Sequence, residues 1–210
     1  MKISKFVFNL FQVNTFVLYD ETKEAIIIDP GCGSDTEKKQ LLDFIEKNEL
    51  KPKAIVNTHC HIDHIIGVDF LKEHYNIEFW ANRDDQYLLD IIVEVANMYG
   101  VDLDKAPVID KHISALNEIS FGKSKLALIE VPGHTDGHLA FFSPKDQFVL
   151  TGDVLFKDTI GRTDLPGGDL DRLMNSILTQ ILPLGDEVDV LSGHGPDTTI
   201  GAERKNNPFL

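Results

Sequence analysis

Three histidines and one aspartate fall within six consecutive residues: His59, His61, Asp63 and His64. They follow an apolar run at residues 54–56 that is typical of a buried strand. In an extended segment successive side chains point to opposite faces, so His59, His61 and Asp63 share one face. A helix that begins near Asp63 turns His64 towards the same side. Imidazole and carboxylate groups are common metal ligands, so the spacing predicts a metal site at the end of this strand.

Three further donors each follow another apolar run, and they are His134, Asp153 and His194. Ligand sites in α/β sheets gather where strands end, so we expect these side chains to meet the histidine-rich stretch in one hollow. Seven donors are too many for one ion and suit two ions about 3.5–4 Å apart. The natural division is His59, His61 and His134 on the first ion, Asp63, His64 and His194 on the second, and Asp153 as the bridge.

The residue types also bear on the metal. Imidazole and carboxylate ligands without thiolate suit Zn, Fe or Mn, and the residue types alone do not choose among them. We expect two divalent ions and take zinc as the first choice.

These motifs resemble those of the metallo-β-lactamase superfamily. His-x-His-x-Asp-His at residues 59–64, Gly-His-Thr at 133–135, Gly-Asp at 152–153 and Gly-His at 193–194 occur in the family's order across nearly the whole chain. The resemblance implies an αββα sandwich, an α/β fold of four layers. Two mixed β-sheets pack face to face in it, with helices on both outer faces. It also implies a single domain over residues 1–210, and the family's ligand assignment matches the division given above.

Among the branches of this family, the chain is most similar to a short form of glyoxalase II, the hydroxyacylglutathione hydrolases. The resemblance implies that a metal-bound hydroxide attacks the carbonyl of a thioester such as S-lactoylglutathione. Asp63 would then both hold a metal and orient the hydroxide. His138 is expected to have a structural role, and Cys60 is expected to point away from the ligands.

Two departures from glyoxalase II concern the substrate. Only 16 residues follow His194, so we expect the helical C-terminal domain that helps to grip glutathione to be absent. Arg162 matches a basic position that holds the glutathione carboxylate, but Asp164 replaces a tyrosine two residues later. Arg162 is therefore either a substrate-binding residue or the partner of Asp164 in a stabilised loop.

Three alternatives to thioester hydrolysis remain. Residues 161–164, Gly-Arg-Thr-Asp, also resemble the persulfide dioxygenases, which use one iron held by two histidines and one aspartate. That branch typically has cysteine at the position of His138. The second alternative is a hydrolase of another ester or a lactone. The third is a non-catalytic binding module, against which the intact ligand set argues.

Composition restricts the partners. With 34 acidic and 20 basic residues the net charge is −14, and such a surface repels phosphate backbones, so we expect no nucleic-acid partner. No apolar run approaches the roughly 18 residues of a membrane span. The two cysteines, Cys32 and Cys60, exclude a disulfide framework and favour a reducing compartment. We therefore expect a cytoplasmic enzyme that acts on a small molecule.

The elements that must position these donors alternate along the chain. Strands are predicted at residues 2–8, 15–19 and 24–29, a helix after Ser34, and then a strand, a helix and a strand around the histidine-rich stretch. Residues 82–100 form one long amphipathic helix in this prediction. In the second half, strands are expected at 125–131, 139–142, 147–150 and 188–191, with a helix at 169–182. Two similar halves of this kind predict a layered α/β fold.

Asp29 ends one of the apolar strands. Its carboxylate could orient a metal ligand from behind or could cap its own turn, and the sequence supports both interpretations.

Overall fold

The computed structural model describes all 210 residues, which form two compact units. Unit 1 comprises Met1–Ile113 with Ser120–Ser124, and unit 2 comprises Ser114–Ile119 with Lys125–Leu210. None of the helices combines the length and the apolar character that crossing a membrane requires.

The sheet of unit 1 has six strands whose spatial order follows the chain. The first three strands pair antiparallel, and each later strand pairs parallel with the one before it. The third strand is apolar at four successive positions and all four are buried, as expected of a strand that is covered on both faces. The six are β1 (Lys2–Phe8), β2 (Val13–Tyr19), β3 (Glu24–Ile28), β4 (Lys51–Val56), β5 (Glu78–Ala81) and β6 (Lys111–His112).

The helices of unit 1 lie in the connections between these strands. The helix start predicted at Ser34 is confirmed, because Ser34 and Glu37 form a reciprocal capping box. A short helix at Ile62–Ile65 begins directly after His61 and carries Asp63 and His64. The helices are α1 (Asp35–Lys47), α2 (Ile62–Ile65), α3 (Val68–Tyr75), α4 (Gln86–Asp90) and α5 (Ile92–Tyr99).

The prediction of one continuous helix over residues 82–100 is wrong. The segment starts with a 3₁₀ turn at Arg83–Asp85, and Ile91 then leaves helical geometry between α4 and α5, with φ −110° and ψ 2°. Ile91, Ile92 and Val93 are β-branched in succession, which weakens a helix because their side chains crowd the preceding turn. Leu88 and Ile92 are buried as predicted, whereas Met98 at the end of the stripe is 82% exposed.

A second six-stranded sheet has the spatial order β14-β13-β10-β9-β8-β7. Strands β10 and β13 pair parallel, while β8, β9 and β10 form an antiparallel ladder. A separate hairpin of β11 and β12 follows β10. The strands are β7 (Glu118–Phe121), β8 (Ser124–Glu130), β9 (Leu139–Ser143), β10 (Phe148–Gly152), β11 (Leu155–Phe156), β12 (Thr159–Ile160), β13 (Asp189–Ser192) and β14 (Thr198–Thr199).

Unit 2 has two helical segments. The helix predicted at residues 169–182 is present, with Asp169 as its N-cap and α6 over Leu170–Ser176. It continues as a π-helical turn over Ile177–Ile181. The last helix, α7, spans Ile200–Asn206. The core of this unit includes Val149, Leu173, Ile177, Val190 and Ile200.

Candidate metal centre

The four predicted donors of unit 1 lie in the turn between β4 and α2. His59, Asp63 and His64 are buried, and His61 is partly buried. The Nε2 atom of His59 lies 3.1 Å from Nδ1 of His61. The Oδ2 atom of Asp63 lies 3.4 Å from Nε2 of His64. The ring of His59 also lies 4.1 Å from that of His64, measured between centroids, so the four side chains form one cluster.

Asp29 supports two of these histidines, His64 and His59. Its Oδ2 atom lies 3.1 Å from Nδ1 of His64. The two carboxylate oxygens also accept hydrogen bonds from the backbone N–H and the hydroxyl of Thr58, at 2.8 and 2.7 Å. The hydroxyl of Thr58 in turn lies 3.1 Å from Nδ1 of His59. Because the Nδ1 atoms of both histidines are held in this way, their Nε2 atoms are turned towards the other donors.

Amide side chains hold the backbone of the same turn. Asn57 donates from Nδ2 to the carbonyl oxygens of His59 and His64, at 3.2 and 2.8 Å. Asn9 donates to the carbonyl oxygen of Asp63 at 3.0 Å. The backbone N–H of Cys60 donates a hydrogen bond to the buried carboxylate of Asp85 at 3.0 Å. Neither asparagine nor Asp85 was singled out in the sequence. The contacts of Asn9 and Asp85 join segments that are distant along the chain, so no local spacing reveals them.

The donors of unit 2 converge on one carboxylate oxygen. The Oδ2 atom of Asp153 lies 3.6 Å from Nε2 of His134 and 3.5 Å from Nε2 of His194. Asp153 and His134 are buried, and His194 is partly buried. One carboxylate oxygen of Asp153 therefore lies next to one predicted ligand of each ion.

Contacts behind these donors fix their orientation. Nδ1 of His134 lies 2.8 Å from the carbonyl oxygen of Arg162. Nε2 of His138 accepts a hydrogen bond from the backbone N–H of Asp153 at 3.1 Å, which agrees with the structural role expected for His138. Gly161 allows the Arg162 loop to approach closely, because a Cβ at this position would lie 1.9 Å from the carbonyl oxygen of Asp153.

The spacing of the donor atoms fits divalent ions. Two atoms bound to one tetrahedral ion at about 2.1 Å lie about 3.4 Å apart. The carboxylate–imidazole separations of 3.4, 3.5 and 3.6 Å are close to this value. They exceed the range of about 2.7–3.2 Å for a hydrogen bond between such groups. Carboxylates and imidazoles that face each other at this separation suit a cation bound by both.

Arg162 and Asp164 form a two-point ion pair. The guanidinium donates from Nε to Oδ1 at 2.7 Å and from Nη2 to Oδ2 at 2.8 Å. These hydrogen bonds lower the pKa of the Asp164 carboxyl to about 2. Of the two interpretations of Arg162, the pairing with Asp164 is therefore present in the structure. The proposed contact with substrate has to compete with it.

The two cysteines are unsuited to nucleophilic catalysis. Both are free thiols and both are fully buried. Burial raises the pKa of Cys32 to about 12. Burial, together with the carboxylates of Asp85 and Asp29, raises the pKa of Cys60 well above its ordinary value. Since the thiolate is the reactive form, neither thiol is activated at neutral pH.

Comparisons with known proteins agree with the resemblance in the sequence. The family model described as "Metallo-beta-lactamase superfamily" matches residues 8–194. The chain is 39% identical over 202 residues to hydroxyacylglutathione hydrolase GloC of Haemophilus influenzae, a match that covers 95% of this chain and 93% of that protein.

Two solved structures are similar over the full length. The B3 metallo-β-lactamase BLEG-1 is 34% identical with a TM-score of 0.90, and the match covers 100% of this chain and 99% of BLEG-1. TTHA1623, solved in a di-iron-bound form, is 33% identical with a TM-score of 0.87, and the match covers 99% of this chain and 100% of that chain. The expected fold class is confirmed, because two large mixed sheets and their helices match these neighbours.

Proposed function

The chain belongs to the metallo-β-lactamase superfamily, and from this premise we propose that it is a thioester hydrolase of the S-lactoylglutathione type. The His/Asp cluster for divalent ions, the family membership and the similarity to a hydroxyacylglutathione hydrolase support a metal-dependent hydrolase. The narrower activity draws support from the 39% identity to a hydroxyacylglutathione hydrolase over nearly the whole of both chains.

We propose that the seven predicted donors hold two ions. The observation that carries this assignment is the position of the Asp153 carboxylate, one oxygen of which lies 3.5–3.6 Å from the Nε2 atoms of His134 and His194. One carboxylate placed between two imidazoles suits a bridging ligand. The proposed ligands are His59, His61 and His134 for the first ion and Asp63, His64 and His194 for the second, with Asp153 shared.

When bound, the two ions supply a nucleophile from water near neutral pH and polarise the substrate carbonyl. The residues of the chain orient the reactants. Asp63, in the first turn of α2, holds the attacking water by accepting a hydrogen bond from it. The water oxygen then bonds to the acyl carbon, the carbon–sulfur bond breaks, and the products are a carboxylic acid and a thiol.

We propose zinc as the metal, with iron as the alternative to be tested. The donors are imidazole and carboxylate groups only, which suit zinc, iron and manganese. The similar protein TTHA1623 was solved in a di-iron-bound form, and metal analysis of the purified protein distinguishes zinc from iron.

We propose that Arg162 binds a carboxylate of the thiol part of the substrate. The neighbouring Gly161 packs against Asp153. The carbonyl oxygen of Arg162 lies 2.8 Å from Nδ1 of His134. The side chain thus starts beside the proposed first ion. A guanidinium binds a carboxylate through two parallel hydrogen bonds, the geometry that it already adopts with Asp164.

We also propose that the protein acts in the cytoplasm on a small molecule alone. Two free, buried thiols accord with a reducing compartment. The net charge of −14 disfavours binding to nucleic acid.

The experiment combines metal analysis with an anaerobic assay. Purified protein should contain two ions per chain and should release thiol from S-lactoylglutathione without oxygen. Asp63→Asn should lower kcat about 100-fold or more, since it removes both a ligand and the group that orients the water. Asp84→Asn, at an exposed position of the same unit, is the matched control.

Other outcomes would redirect the assignment. A single iron, oxygen uptake with glutathione persulfide and no thiol release would contradict hydrolysis and favour the persulfide dioxygenase. Activity on a lactone, an ester or a β-lactam without thioester cleavage would support a hydrolase and contradict the proposed thioester substrate.

A further inference from the structure

A cavity of about 360 Å³ lies beside His194 in unit 2. Phe156 and Ile160 of the β11–β12 hairpin line one part of it, and Gly195 and Pro196 line another. The ring of Phe156 lies 6.3 Å from that of His194, measured between centroids. The cavity therefore adjoins a proposed ligand of the second ion.

Buried Glu203 of α7 ties these lining segments together. One carboxylate oxygen accepts a hydrogen bond from the backbone N–H of Asp158, in the turn of the β11–β12 hairpin, at 2.8 Å. The other oxygen accepts the hydroxyl of Thr198, on the segment that follows Pro196. Asn207 donates both to Glu203 at 2.9 Å and to the carbonyl oxygen of Thr159 at 3.0 Å. A cavity whose sides are fixed in this way loses little entropy when a ligand binds.

The lining is suited to a particular chemistry. Phe156, Ile160 and Pro196 offer apolar surface, and the exposed residues Lys157 and Thr159 also line the cavity. A mainly apolar cavity of this size suits hydrocarbon groups. The proposed carboxylate contact, Arg162, starts beside His134, whereas this cavity adjoins His194. The two histidines are proposed ligands of different ions. The thiol part of a thioester can therefore bind at Arg162 while the acyl part binds in the cavity.

We propose that this cavity is the acyl subsite and that the preferred substrates are thioesters with apolar acyl groups larger than lactoyl, such as hexanoyl or benzoyl. This inference rests on the proposed thioester hydrolysis and narrows its substrate class. Phe156 determines the specificity, because its ring supplies apolar surface next to the reacting carbonyl.

The test uses acyl groups of increasing size on one thiol. We expect kcat/KM to be about tenfold higher for S-hexanoylglutathione than for S-lactoylglutathione, because each added methylene in an apolar pocket gains binding energy. Phe156→Ala should reduce this ratio about tenfold. Leu178→Ala removes an exposed apolar side chain elsewhere in unit 2 and should leave the ratio unchanged.

Binding of inert thioethers gives a readout that does not depend on catalysis. S-hexylglutathione should bind about tenfold more tightly than S-methylglutathione to the wild-type protein, and equally to Phe156→Ala. If Phe156→Ala fails to fold, Ile160→Ala serves as the second variant, with the same expected loss of preference.

The outcomes separate the two proposals. Cleavage of S-lactoylglutathione with no gain from larger acyl groups would overturn the acyl subsite and leave thioester hydrolysis standing. A preference that follows the thiol part, with no dependence on Phe156, would also overturn it. Absence of all thioester cleavage, together with Phe156-dependent binding of S-hexylglutathione, would overturn both the thioester activity and the acyl role, and would leave an apolar ligand site.

Discussion

The Asp29 carboxylate lies 3.1 Å from Nδ1 of His64, with both side chains buried. The same carboxylate accepts two hydrogen bonds from Thr58, whose hydroxyl lies against Nδ1 of His59. One residue outside the proposed ligand set therefore orients one proposed ligand of each ion, His64 directly and His59 through Thr58.

Replacing Asp29 with asparagine should weaken metal binding about 10- to 100-fold, the usual effect of removing such a partner. An amide presents N–H groups where the N–H of His64 and the hydroxyl of Thr58 need acceptors. The measurement is competition with a chelator of known affinity. Asp35→Asn, at an exposed position of α1, is the control. Equal affinities for the two variants would contradict the orienting role.

Asp29 also shows how far sequence reasoning reached. The sequence places Asp29 at the end of an apolar strand but does not decide whether its carboxylate orients a metal ligand or caps its own turn. The contact with His64 spans 35 positions along the chain, and the fold alone creates it. The spacing of His59, His61 and Asp63 located the strand end because alternation is a local rule. The sequence does not predict the break at Ile91, because Leu88 and Ile92 keep a helical spacing across it.

His138→Phe should lower the free energy of unfolding by about 1–3 kcal/mol, because the backbone N–H of Asp153 would be buried without its acceptor. Denaturant unfolding in the presence of a chelator measures this effect apart from metal binding. His112 is exposed, so His112→Phe should change stability by less than about 0.5 kcal/mol. A stable His138→Phe variant would show that this hydrogen bond does not support Asp153.

Breaking the Arg162–Asp164 pair should improve binding of an anionic thioester. Exposed ion pairs are weak because solvent screens them, so Asp164→Asn should lower the KM for S-lactoylglutathione only about two- to fivefold. Arg162→Ala should raise the KM. The pKa of Asp164 is held at about 2, so the difference should persist at every pH above about 4. A KM that is unchanged in both variants would remove Arg162 from the substrate site.

Asp20 should make stability depend on pH in the acid range. Burial raises the pKa of its carboxyl, but hydrogen bonds from Thr22, Lys123 and Ser124 outweigh this and lower it to about 2. Because the folded pKa lies below the unfolded one, the stabilisation is present above about pH 4 and is lost as the pH falls towards 2. The melting temperature of Asp20→Asn should therefore lie below that of wild type at pH 7 and approach it in acid. A constant difference would contradict this.

Counting the ions bound per chain, by native mass spectrometry of wild type and Asp153→Ala, tests the proposed metal centre most directly. If the Asp153 carboxylate bridges two ions, wild type carries two and Asp153→Ala carries none, while Asp171→Ala, at an exposed position of α6, keeps both. One ion in wild type, or two retained in Asp153→Ala, would contradict the bridged pair of ions on which the proposed mechanism depends.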